Sequence, residues 1–176
     1  MDVVRLLSLL RPRLSDAGVR WALGGGFAVI AWGSVRTTHD LDLVVDAVER
    51  ARLTASLVDA GFEVLNDVQG FTNLLHRDRE LGHLDLLWVE GTTSERLFAR
   101  TAEMTGPDGL PIRVLSPEHL VAMKVRAIQN RATRVLRDGP DIHYLLALPG
   151  IDENEVRGYF EKAGLAELYT RLKAGR

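Results

Sequence analysis

Leu23-Gly-Gly-Gly-Phe-Ala-Val-Ile-Ala-Trp-Gly-Ser-Val-Arg-Thr-Thr-His-Asp-Leu-Asp-Leu43 is the segment around which the rest of this chain organises. It begins at the end of an apolar strand, Val19 to Leu23, and breaks at Gly24-Gly25-Gly26. A short apolar helix, Phe27 to Trp32, follows and stops at Gly33. The chain then enters a second strand, His39 to Asp46, in which Leu41, Leu43 and Val45 alternate with Asp40, Asp42 and Val44. Asp40 and Asp42 therefore leave the same face of that strand, roughly 7 Å apart. Two carboxylates on one face repel each other unless a cation lies between them. Hard divalent ions such as magnesium take oxygen ligands of this kind. Upstream, glycines before a helix start expose amide N–H groups and the positive end of the helix dipole to an anion. A solvated strand end behind a tight turn is the plainer reading of the same residues.

Working outward, Val3, Leu6, Leu7, Leu10 and Leu14 recur at helical spacing over residues 2–16, and Gly18 closes that helix. Val48 to Ala60 reads as an amphipathic helix ended by Gly61. Phe62 to Leu65, Phe71 to His76 and Leu81 to Val89 read as strands, with turns at Asn66–Gly70 and Arg77–Glu80. Thr93 to Met104 reads as a helix capped by Thr93 or Ser94, and Pro111 to Leu115 as a short strand. Ser116-Pro117-Glu118 opens a helix, and the remainder is helical with breaks near Gly139-Pro140 and Pro149-Gly150. Strands and helices mix up to residue ~115 and helices alone follow. The expected class is α+β (α/β), a mixed sheet flanked by helices. Residues 1–115 would form the core, with a helical region, 116–176, packed on it.

Asp85 lies mid-strand among Leu84, Leu86 and Leu87. A carboxylate there is costly to bury unless something binds it. In the helix from Pro117, Val121, Val125, Ile128, Ala132 and Val135 form an apolar stripe, and Lys124 and Arg131 fall on one flank of it. A flank position lets a cation reach a cleft while its stem packs. Lys124 is the preferred phosphate ligand of the two. Asp141 would support Lys124 or simply start a helix. Thr38 shares the face of Asp40, His39 does not, and His83 shares the face of Asp85.

The composition bounds these readings. The chain has 176 residues, 46% hydrophobic and 26% charged, which excludes wholesale disorder. It has no cysteine, so thiolate chemistry and Cys-ligated metals are out. No run reaches the ~18 apolar residues of a membrane span, and the N-terminal segment reads as a helix rather than a signal peptide. A cytoplasmic protein without membrane partners is expected. The net charge of −2 hides an asymmetry. Thr38 to Glu95 carries 12 acids and 4 bases, whereas Pro117 to Arg137 carries 5 bases and one acid. Opposite walls of that kind suit metal ions and a polyphosphate, or are two solvated faces.

The quoted segment resembles the signature of the polymerase-beta-like nucleotidyltransferase superfamily. That signature is a Gly-Gly or Gly-Ser turn, then Asp-x-Asp, then a third acid on a later strand. Gly25, Gly26, Ala28, Gly33, Arg36, Thr38, Asp40 and Asp42 carry it, and within it resemble small bacterial AbiEii-type nucleotidyltransferases, some of them toxins of toxin–antitoxin pairs. Leu84-Asp-Leu-Leu87 matches the third-acid strand, Ser116 to Lys124 the helix that brings a lysine, and Arg137 to Asp141 the segment after it.

The resemblance implies an enzyme that moves an NMP from an NTP to a hydroxyl. It implies two magnesium ions, or manganese, on Asp40, Asp42 and Asp85, with Asp85 also a base. Phosphates would be bound by Gly25, Gly26 and Lys124, with Arg36, Thr38 and Asp141 in support. The acceptor would be RNA, such as tRNA, or a protein, and an antitoxin would be a partner. Two alternatives stand beside this. One is an adenylyltransferase of the aminoglycoside or lincosamide kind, whose cationic drug would suit the acidic segment. The other is a nucleotide- or partner-binding module without turnover.

Overall fold

The computed structural model describes residues 1–175. The chain divides into two compact units, Met1–Ala31 with Val35–Leu115, and Trp32–Ser34 with the chain from Ser116 onward.

The first unit contains α1 (Val3–Ala17), β1 (Trp21–Leu23), α2 (Gly25–Ala31), β2 (Asp40–Asp46), α3 (Arg50–Asp59), β3 (Phe62–Val68), β4 (Phe71–His76), β5 (His83–Val89), α4 (Gly91–Ala99), β6 (Ala102–Thr105) and β7 (Pro111–Val114). Its seven strands form one sheet in the order β3-β4-β5-β2-β1-β7-β6. β2 runs parallel to β5 and β1 parallel to β7, and the other pairs are antiparallel, so the sheet is mixed.

Strand alternation gives the sheet two different faces. Leu41, Leu43 and Val45 of β2, Leu84, Leu86 and Trp88 of β5, and Leu74 of β4 are all buried on one face. Each such leucine contributes about 2 kcal/mol by leaving water. α1 and α3 lie on that side, where Arg11 stacks over Trp21 and Arg50 over Trp88. Thr72 is buried in the same layer and is satisfied by the Trp88 indole N–H at 2.8 Å. The other face, carrying Asp40, Asp42, Asp85 and Leu87, is only half-covered along β5 and the start of β2.

Several boundaries differ from the sequence expectation. β3 continues to Val68 through a register shift between Val64 and Asn66, so the turn is narrower than Asn66–Gly70. α4 ends at Ala99, and Ala102–Thr105 is a strand held by antiparallel pairing with β7. That pairing is a long-range contact which local helical periodicity cannot register. Ser94 is no cap. It is buried, and its hydroxyl donates to Asp46 at 2.9 Å.

The second unit contains α5 (Pro117–Asn130), α6 (Val135–Leu146), α7 (Glu153–Lys162) and α8 (Ala166–Lys173). Ser116 caps α5 by accepting from the His119 N–H, and Asp152 caps α7 by accepting from Asn154 and Glu155. The expected break at Gly139-Pro140 is absent, and α6 runs through both residues. The carbonyl that Pro140 cannot bond belongs to Leu136, which is exposed, so water can satisfy it. A Cβ on Gly139 would come within 3.3 Å of Leu172, so glycine lets α8 close on α6. The break falls instead after Asn130, which removes Arg131 from the helical flank expected of it. Trp32–Ser34 is tied in by the Tyr144 hydroxyl, which donates to the Trp32 carbonyl at 3.0 Å. Among the described residues, no helix is long and apolar enough to cross a membrane.

Candidate active site

The parallel pairing of β2 and β5 aligns Asp42 with Asp85 and Asp40 with His83. Their apolar neighbours Leu41, Leu43, Leu84 and Leu86 turn to the buried face, which leaves the carboxylates on the open one. Adjacent strands lie about 4.8 Å apart, so Asp42 and Asp85 are near neighbours across the sheet. β4 adds a residue that the sequence reading took only as part of a strand. Asn73 is the register partner of Asp85, and its Nδ2 donates to Asp85 Oδ1.

Behind Asp42 stands the glycine turn. The Gly24 N–H donates to the Asp42 carbonyl at 2.9 Å, which extends the β1–β2 ladder by one step. Gly25 then has φ +54°, and a Cβ on it would overlap the Asp42 carboxylate. A Cβ on Gly26 would come within 2.6 Å of Thr38 Oγ1. The Thr38 hydroxyl in turn donates to Asp40 Oδ1 at 2.8 Å. So the glycines touch both aspartates of the pair, one directly and one through Thr38. Arg36 is half-exposed and donates to the Thr37 carbonyl at 3.3 Å. His83 is exposed beside Asp40 in register, and His39 is exposed as well.

At the far end of β2, Asp46 accepts from Arg20 at 2.6 Å and from Ser94 at 2.9 Å. Burial alone would raise the proton affinity of this carboxyl. The hydrogen bonds from Arg20, Ser94 and the Val48 backbone, together with the charge of Arg20, outweigh burial and hold it below the usual carboxylate range.

In the second unit Lys124 is buried, and its ammonium donates to Asp141 at 2.7 Å and to Asp138 at 3.4 Å. Asp138 is buried too and also accepts from Arg134 Nε at 2.7 Å. Asp138 was missed in the sequence because nothing local marks an acid in a helix as buried. Its spacing of four residues from Arg134 was the available signal.

Among the described residues, no group of three or more His, Cys, Asp or Glu side chains is gathered closely enough to cage a metal. The donor chemistry of the row still fits a hard divalent ion of the magnesium kind. Such an ion takes one or two carboxylates and fills its remaining positions with waters and substrate phosphates. Asp42 and Asp85 offer oxygen donors from adjacent strands, with no thiol or imidazole between them. Two surface cavities of about 380 and 560 Å³ lie elsewhere on this unit, the first beside Arg20 and Phe98 and the second along α3, and the carboxylates line neither.

The mixed sheet flanked by helices is that of a nucleotidyltransferase, and the chain is an enzyme of that class. The family model described as aminoglycoside-2''-adenylyltransferase matches residues 6–96, just over half of the chain, and the chain belongs to that family. A sequence search of curated proteins returned no match.

Among solved structures, ANT(2'')-Ia in complex with adenylyl-2''-tobramycin is similar at 14% identity, with 99% of each chain covered and a TM-score of 0.62. The lincosamide antibiotic adenylyltransferase LnuA, lincomycin-bound, is similar at 18% identity over 81% of this chain and 96% of its own, with a TM-score of 0.61. A nucleotidyltransferase-like protein from Paracoccidioides brasiliensis is similar at 19% identity over 98% and 93%, with a TM-score of 0.56. At these identities the likeness is one of fold. These comparisons support the nucleotidyltransferase superfamily and do not support the AbiEii-type toxin assignment or an antitoxin partner.

Proposed function

We propose that this protein transfers a nucleoside monophosphate, AMP in the first instance, from a nucleoside triphosphate to a hydroxyl of a small antibiotic of the aminoglycoside or lincosamide kind. The observation that carries this is the alignment of Asp42 with Asp85 in front of Gly25, in a chain of the aminoglycoside-2''-adenylyltransferase family. The acid excess from Thr38 to Glu95 favours a cationic acceptor over a polyanion such as RNA.

In this reading Asp40, Asp42 and Asp85 hold magnesium, which when bound supplies positive charge for the phosphates and the departing pyrophosphate. The Gly25-Gly26 backbone accommodates the phosphates at closest approach, because no side chain intervenes. Thr38 fixes the rotamer of Asp40, and Arg36 supplies a cation for the phosphates. Asp85 takes the proton of the acceptor hydroxyl as that oxygen attacks the α phosphorus and pyrophosphate leaves. Positioning and electrostatic stabilisation provide most of the acceleration in such a transfer. Lys124 enters as a phosphate ligand, and to act so its ammonium must exchange Asp141 and Asp138 for phosphate oxygens. The division into a catalytic core, 1–115, and a helical region, 116–176, belongs to the same proposal.

The deciding experiment incubates the protein with magnesium and α-labelled ATP, GTP, CTP or UTP, against panels of aminoglycosides and lincosamides, total RNA and lysate protein. Label on a drug is the expected result. Label on RNA or protein instead would replace the acceptor, and nucleotide binding without transfer to anything would make this a binding module.

A further inference from the structure

The open face of the sheet carries a polar row that runs across four strands. Asn66 of β3 pairs with Asn73 of β4, Asn73 with Asp85 of β5, and Asp85 with Asp42 of β2. Asn73 has Phe71 and Leu75 as its neighbours two residues away on the same face of β4, while Asp85 has Leu87 on one side and His83, the partner of Asp40, on the other.

Asparagine is depleted in strands, and a half-buried amide between apolar neighbours needs a partner. Asn73 has one, since its Nδ2 donates to Asp85 Oδ1. The amide is neutral, so it takes up one oxygen without neutralising the carboxylate as an arginine or lysine would. It also fixes the plane of the carboxyl group, which on a lone strand aspartate would turn freely about its terminal torsion.

We infer that Asn73 is a positioning residue for nucleotidyl transfer: it holds Asp85 by Oδ1 so that Oδ2 receives the acceptor's proton. This rests on the function proposed above. The acceptor O–H proton moves to Asp85 Oδ2, the acceptor oxygen forms its bond to the α phosphorus, and the bond from that phosphorus to the bridging oxygen breaks. Pyrophosphate carries away the bonding electrons. Asn73 contributes neither proton nor electrons and keeps its hydrogen bond throughout. Hydrogen-bond partners that orient metal-ligating side chains, the role Asp85 also has in the proposed function, are typically worth about 10–100-fold in activity.

The test has two arms on the full chain. In the first, the Asn73 side-chain amide is followed by NMR without ligand and assigned from its disappearance in Asn73→Leu. Asp85→Ala is expected to shift it strongly, and an unshifted resonance would overturn the contact. In the second, kcat and KM are measured with ATP and whichever drug accepts label from wild type. Asn73→Leu is expected to lower kcat about 10–100-fold with KM for ATP within about twofold, and Asn73→Gln to recover part of it. Asn66→Leu, in the same row but exposed, is expected to leave kcat unchanged. A folded Asn73→Leu with kcat within about twofold of wild type overturns the inference while leaving the proposed function intact. If that variant does not fold, Asn73→Asp serves, since a second carboxylate against Asp85 must lower kcat further still, and wild-type rates there overturn the inference equally. Wild type that labels no acceptor overturns the proposed function instead, and the role given to Asn73 with it.

Discussion

The carboxylate of Asp42 occupies the space that a side chain at position 25 would need, so Gly25 and Asp42 are two halves of one feature. The positive φ of Gly25 turns the chain from β1 into α2, and its missing Cβ lets the aspartate lie against the backbone. Gly25→Ala is expected to abolish nucleotidyl transfer and lower the melting temperature by several degrees. Gly109→Ala separates the two causes. Gly109 has φ +76° but nothing within 4 Å of a Cβ, so it carries only the backbone cost of about 1 kcal/mol and should keep activity. Melting curves and transfer rates for the two variants check this.

Asp42 and Asp85 face each other as like charges on paired positions. Such pairs are destabilising by up to about 1 kcal/mol. Asp42→Asn is therefore expected to melt at or slightly above the wild-type temperature while losing transfer activity by at least about 100-fold. Magnesium with ATP should raise the wild-type melting temperature and leave that of the variant unmoved, because a ligand stabilises only the form that binds it. Differential scanning fluorimetry with and without magnesium reads both effects. A wild-type shift matched by Asp42→Asn would take Asp42 out of the metal site.

Thr38 acts on Asp40 through one hydroxyl at 2.8 Å. Thr38→Val keeps the shape and removes the donor. A hydrogen bond to a charged group contributes about 1.5–3 kcal/mol. The variant should lose roughly 10–100-fold in kcat if that difference is expressed in the reaction. Thr38→Ser should stay near wild type. Steady-state kinetics on the two variants distinguish the donor from the shape.

Lys124 stands between two buried carboxylates. Lys124→Met leaves Asp141 buried without that cation and is expected to cost about 3–5 kcal/mol in urea unfolding. Adding Asp141→Leu should return much of this, since Asp138 keeps Arg134. The single variant measures stability and the double variant function, so a double variant that folds but binds ATP more weakly would assign the Lys124–Asp141 pair to the nucleotide.

The pH dependence follows from Asp46. Its folded-state affinity for a proton lies below the unfolded value of about 3.9, so its contribution is present above that value and is lost as pH falls through the folded one. Arg20→Gln removes the partner. Its stability deficit against wild type should be largest at pH 7, shrink as pH falls below the unfolded value, and vanish only once Asp46 is protonated in the folded wild type as well. Urea midpoints across that range give the comparison.

What the sequence by itself determined was local. The alternation of Leu41, Leu43 and Val45 with Asp40 and Asp42 assigned the two faces of β2, because successive side chains on a strand must diverge. The glycine turn, the shared face of Thr38 and Asp40, and the isolation of Asp85 among leucines were legible for the same reason. Register was not. That Asp85 stands beside Asp42, and Asn73 beside Asp85, depends on which strands pair and at what offset, and residues 43 and 12 positions apart in the chain carry no mark of that. The same limit hid β6, whose strand exists through β7, and placed Ser94 at a helix cap rather than on Asp46. It also hid the burial of Asp138. Side-chain direction is set by the backbone within a few residues, whereas a site assembled from three strands is set by the hydrogen bonds between them, and only the tertiary structure decides those.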